Sequence, residues 1–100
     1  MTFRNAKLLK SAKGKPCVRC GSVGTTVPAH YTGVRRGSLG GGLGIKVADY
    51  MHARLCGECH VYMDQTSRLK NEKWEHSEEF LFFCAITLGK LFEEGIVVIA

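Results

Sequence analysis

The chain has 100 residues, 45% of them hydrophobic, with five cysteines and a formal net charge of +5, enough for one domain with a small core and too little for two. No apolar run approaches the about 18 residues that a membrane-spanning helix needs. The N-terminus is basic but lacks the apolar centre of a secretion signal, so a cytoplasmic protein with no membrane partner is expected. The charge is unevenly placed: residues 1–48 hold nine Lys or Arg and no acid, whereas residues 49–100 hold five basic and nine acidic side chains, giving +9 and −4. A segment so basic suits a polyanion such as nucleic acid, the plainer alternative being a solvated basic surface.

In chain order, residues 1–16 are basic with one adjacent aliphatic pair, Leu8 and Leu9. They predict an arm or weak helix that contacts phosphate and ends at the turn Gly14-Lys15-Pro16. Cys17-Val18-Arg19-Cys20 reads as a zinc knuckle. Residues 25–31 are β-branched enough for a strand, and Pro28 makes it an edge strand or a bulged one. Residues 33–44 are glycine-dense and predict a flexible loop. It lacks the Gly-Lys-Ser/Thr ending of a P-loop and the flanking elements of a dinucleotide fingerprint. Arg35, Arg36 and Lys46 can instead lie along a nucleic-acid backbone, since guanidinium pairs bidentately with phosphate; the alternative is a mere connector.

Residues 47–55 predict a short helix or compact turn with Asp49 near its start. The second cysteine pair follows in Leu55-Cys56-Gly57-Glu58-Cys59-His60. From Cys59 to about Lys70 the pattern is helical, which puts His60 and Asp64, four apart, on one face. Residues 71–76 form a polar connector. Ser77 is a good N-cap for a helix over residues 78–94, which Gly95 ends. Residues 96–99 are apolar enough for a short final strand. Cys84, in an apolar run, is expected in the core, and His52 and His76 on the surface.

Two Cys-x-x-Cys pairs separated by loop sequence fit a tetrahedral four-cysteine zinc site of Cys17, Cys20, Cys56 and Cys59. Neither pair follows a strand in a βαβ unit, which argues against a thiol oxidoreductase. Phosphodiester hydrolysis needs an activated water and a cation to stabilise charge on phosphate and leaving oxygen. His30 is the candidate base, because an unperturbed imidazole titrates near roughly pH 6.5. His60 and Asp64, with Asp49 as a third candidate, are the candidate ligands of a divalent ion. Asp49 could bind metal, orient His30, or do neither.

Cys17 and Cys20, Ala29-His30, Gly42-x-Gly44-x-Lys46-x-x-Asp49, and Leu55-Cys56-x-x-Cys59-His60 with Asp64 together resemble the HNH, or ββα-metal, endonucleases. More narrowly, they resemble the small phage and prophage nucleases of the YbcO-like type, over residues of about 15–65. The resemblance implies an α+β fold: a small zinc-stapled ββα-metal domain with an added C-terminal helix and short strand. Its parts would be a basic N-terminal arm (1–14), the HNH-like core (15–70) and the C-terminal helix and strand (71–100). It further implies a metal-dependent endonuclease or nickase acting on double-stranded or branched DNA, with structural Zn²⁺ and catalytic Mg²⁺ or Mn²⁺. The setting would be phage or prophage DNA processing in the host cytoplasm, and the apolar C-terminal elements leave room for a homodimer. Many family members carry Asp before the histidine base where this chain has Ala29. That residue speaks for the alternative, a non-catalytic zinc-ribbon nucleic-acid-binding or adaptor protein.

Overall fold

The computed structural model describes residues 2–42, 44–64 and 73–100. Its elements in order are α1 (Ala6–Lys10), β1 (Val27–His30), a single 3₁₀ turn (Arg36–Leu39), β2 (His52–Leu55), α2 (Gly57–Met63) and α3 (Lys73–Glu93). The fold is a small α+β one, built on a two-stranded sheet flanked by helices. No helix among the described residues is long and apolar enough to cross a membrane.

The sheet is antiparallel, pairing Val27 with Leu55, Pro28 with Arg54, Ala29 with Ala53 and His30 with His52. Pro28 sits where its missing N–H is not needed. The Arg54 amide and carbonyl point away from β1, to Thr87 Oγ1 (3.0 Å) and from the Val18 N–H (2.8 Å) respectively. The outer edge of β2 is thus closed by the first cysteine loop and by α3, as an edge needs to be. Of the short helix or compact turn expected over residues 47–55, a turn forms at residues 48–51 (Met51 N–H to Ala48 O, 2.9 Å), and residues 52–55 are instead the strand β2. All four of its residues are buried, so the alternation that betrays a half-exposed strand is absent.

α3 lies across β2 and buries Phe80, Cys84, Thr87 and Leu91 along one stripe. Burial pushes the Cys84 thiol up to about 12, as expected of a packing cysteine. The helix runs from Lys73 and not from after Ser77, so residues 73–76 of the expected polar connector are helical, while 71–72 lie outside the described residues. Ser77 lies inside the helix with its hydroxyl spent elsewhere. It shares a 2.6 Å hydrogen bond with Tyr31 Oη and accepts the Val34 N–H at 3.0 Å, while Tyr31 Oη accepts the Arg35 N–H at 3.0 Å. Gly33 passes so close to both hydroxyls that a Cβ would collide with them. The glycine-rich loop is therefore tethered where it starts.

The far end of α3 closes as its sequence predicts. Gly95 has φ 73°, its N–H reaches Phe92 O (3.1 Å) and that of Ile96 reaches Leu91 O (3.0 Å), the paired bonds of a Schellman cap. The strand expected over residues 96–99 does not form, and Val98 and Ile99 are exposed. The strand near His30, its expected partner, pairs with β2, and the amides of Ile96 and Val97 are both spent on Leu91 O in the cap of α3. The expected helix from Cys59 to Lys70 is also shorter: α2 ends at Met63, Asp64 has extended backbone (ψ 126°), and residues 65–70 lie outside the described ones.

Candidate metal centre and adjoining polar site

Cys17 and Cys20 stand on a tight turn closed by Cys17 N–H to Ser22 O (2.8 Å) and Gly21 N–H to Cys17 O (2.9 Å). Cys56 is the N-cap of α2 and Cys59 lies in its first turn. The four sulfurs lie within 4.8 Å of one another, with Cys20 and Cys56 at 3.6 Å. That is far beyond a disulfide and close to the edge of about 3.8 Å expected for a sulfur tetrahedron around zinc. Burial pushes the Cys59 thiol up to about 12 against a hydrogen bond from Arg19 (Nη1 to Sγ, 3.3 Å), whereas the Ser22 hydrogen bonds bring Cys20 down to about 6. A buried thiol of this kind ionises readily only beside a cation. The donor set and spacing fit one structural zinc ion. Among the described residues, this cluster is the group of three or more ligand-type side chains close enough to share an ion.

About the other end of β1, His30 Nε2 lies 2.8 Å from Asp49 Oδ1. A carboxylate only accepts, so Nε2 donates, and in a neutral ring Nδ1 is then the nitrogen with the lone pair. Burial disfavours a charged Asp49, but bonds from His30, the Asn5 N–H and Arg4 outweigh it and hold its pKa below the ordinary 3.8. Asp49 Oδ1 accepts from both His30 and Arg4, and Oδ2 from the Asn5 N–H (2.6 Å). Of the three options open for Asp49, this geometry favours orienting His30. The N-terminal arm, expected to contact phosphate, packs on this loop through Arg4 and Asn5.

His52 and His76, expected on the surface, are both buried. His52 Nδ1 donates to Asp49 O at 2.7 Å, bracing the turn that presents the carboxylate, and its Nε2 has no hydrogen-bond partner among the described residues. Sequence reasoning missed this support. The available signal was its place three residues after Asp49 and four before the second cysteine pair.

His30 lines a cavity of about 280 Å³ together with Thr32, Arg36 and Lys46 and the glycine-rich backbone at Gly42 and Gly44. A second hollow of about 450 Å³ shares Arg36 and Gly42 with it and continues past Val34, Gly37 and Gly41. Arg36 lines both hollows and Lys46 the first, so each has a cationic side chain in its wall. Arg35 points elsewhere, its guanidinium 5.8 Å from the centre of the Trp74 ring. Asp64 meets the cavity wall through Thr32, whose Oγ1 lies 3.4 Å from Asp64 Oδ1, and its amide bonds His60 O (3.0 Å). The structure thus gathers the four cysteines, His30 with Asp49, and Arg36 and Lys46 with His30. It sets Arg35 apart, and puts His60 and Asp64 at the last turn of α2 without the helical geometry expected at Asp64. No protein-family model, curated protein or solved structure matches this chain.

Proposed function

We propose that the chain is a metal-dependent DNA endonuclease or nickase of the HNH type, with its four cysteines holding a structural zinc ion. The observation that carries this reading is the 2.8 Å His30–Asp49 hydrogen bond at the wall of a cavity lined by Arg36 and Lys46. The order β1, β2, α2, with His30 closing β1 and a cysteine pair opening α2, supports the same family. Phage or prophage DNA processing is the setting we assign to it.

In this mechanism Arg36 and Lys46 hold the phosphodiester, and the joined hollows carry the flanking strand. His30 Nδ1 takes a proton from water as the water oxygen bonds to phosphorus. One phosphorus–oxygen ester bond then breaks, and the leaving oxygen takes its proton from solvent. Asp49 holds the imidazole in the Nε2–H tautomer and stabilises the imidazolium once it forms. His60 and Asp64 are the side chains we assign to a Mg²⁺ or Mn²⁺ ion, which when bound would offset charge on the phosphate and the leaving oxygen.

The test is nicking of supercoiled plasmid across divalent metals. Cleavage should appear with Mg²⁺ or Mn²⁺ and fall roughly 10²–10⁴-fold in His30→Ala, with zinc content and melting temperature retained. Protein inactive in every metal, or a His30→Ala form as active as the wild type, sinks the proposal. A second reading, a zinc-bound nucleic-acid-binding adaptor, is favoured by Ala29: it is 1% exposed and faces the core, so that position offers no metal ligand. It predicts salt-sensitive DNA binding that His30→Ala leaves unchanged and zinc removal abolishes.

A further inference from the structure

Residues 2–5 form a strap across the loop that carries Asp49. Thr2 Oγ1 donates to Gly40 O at 3.2 Å, and the Asp49 N–H donates to Phe3 O at 3.0 Å. The Arg4 guanidinium forks onto two carbonyls of that loop, Val47 O (2.6 Å) and Lys46 O (2.7 Å), and its Nη1 also reaches Asp49 Oδ1 at 3.1 Å. The Asn5 N–H takes Asp49 Oδ2, and the Asn5 side chain then caps α1 by accepting the Leu8 N–H at 3.1 Å. Leu8 and Ala12 are buried, so the strap is anchored behind as well as in front.

We propose that Arg4 is a positioning residue for His30, acting through Asp49. A carboxylate can rotate and still accept a proton, so one hydrogen bond from His30 would not fix it. Arg4 binds the same oxygen that His30 uses and ties the backbone of residues 46 and 47 to it, and Asn5 holds the other oxygen. With both oxygens held, Asp49 Oδ1 stays opposite Nε2, and His30 keeps one tautomer with Nδ1 free. The planar fork of arginine can span two carbonyls and a carboxylate, which a lysine ammonium cannot match. His52 props the other side of the same turn through Asp49 O.

The inference rests on the nuclease reading for its catalytic meaning, but its first readout needs no activity. The full-length, zinc-loaded protein is compared with Arg4→Ala and Arg4→Lys. Imidazole ¹⁵N spectra should give His30 as Nε2–H alone in the wild type and as a mixture with Nδ1–H in Arg4→Ala, with Arg4→Lys between them. For plasmid nicking, kcat should fall roughly 10-fold in Arg4→Ala at unchanged KM, and Arg4→Lys should recover part of it. Arg4 is half-exposed, so both variants should keep the wild-type zinc content. A single Nε2–H tautomer with full kcat in Arg4→Ala overturns the inference and leaves the nuclease standing. A changed tautomer with no cleavage by any form, wild type included, overturns the nuclease and leaves the coupling of Arg4 to His30.

Discussion

His52 makes stability depend on acid. It is fully buried, and burial lowers its pKa below the ordinary 6.5, outweighing the bond to Asp49 O that favours its charged form. As pH falls past 6.5 the unfolded chain takes up this proton before the folded one, so stability is complete above that value and declines as pH falls towards the folded pKa. Asp49 and Glu94, both held below their ordinary 3.8 and 4.5, act with the same sign at lower pH. His52→Asn keeps a donor near the position of Nδ1 and removes the titration. Its melting temperature should be lower at pH 7 yet fall less steeply between about pH 6.5 and 5 than that of the wild type; parallel curves would discount His52. The sequence marked His30 and Asp49 as candidates and left their pairing as one of three options for Asp49, because 18 residues and two loops lie between them and only folding brings their side chains to 2.8 Å. The cysteines were legible because the spacing within each pair is local and the chemistry needs four.

Among the elements, β2 and α3 are locked by Arg54. Its side chain is 1% exposed and meets Glu94 through two bonds, Nη1 to Oε2 (2.7 Å) and Nη2 to Oε1 (2.8 Å). Glu94 is 26% exposed and lies in the cap of α3, so removing either partner has unequal effects. Glu94→Ala strands a buried guanidinium and should cost about 3–5 kcal/mol in urea unfolding, whereas adding Arg54→Met to it should restore most of that. A double variant no more stable than Glu94→Ala would show that the charge is not what matters. The same pair explains why β2 escaped sequence reading. His-Ala-Arg-Leu looks like neither a half-buried strand nor a core strand, because the hydrogen-bond partners of its two polar side chains, Asp49 O and Glu94, lie 3 and 40 residues away. The C-terminus of α3 was legible from Gly95 alone, a local backbone demand. Its start was not, because Ser77 uses its hydroxyl on Tyr31 and Val34 across the molecule.

For the molecule as a whole, the decisive feature is how much converges on the backbone and side chain of Arg54. Its carbonyl accepts the Val18 N–H from between the first two cysteines, its amide reaches Thr87 on α3, and its guanidinium touches Ser11 beside α1 as well as Glu94. The four-cysteine cluster itself joins residues 17–20 to 56–59. Length led only to the expectation of one domain, and this convergence was not legible, since it depends on which groups face the outer edge of a strand. Chelating zinc should therefore melt α3 together with the cysteine loops in one far-ultraviolet transition, and retention of α3 helicity after chelation would contradict this. There is a kinetic consequence as well. If no part of this clasp can open alone, the ion has no private exit, and its escape to a competing chelator should keep time with the slowest event in the protein, the opening of the entire chain. A metal-sensitive dye would then serve as a clock for unfolding.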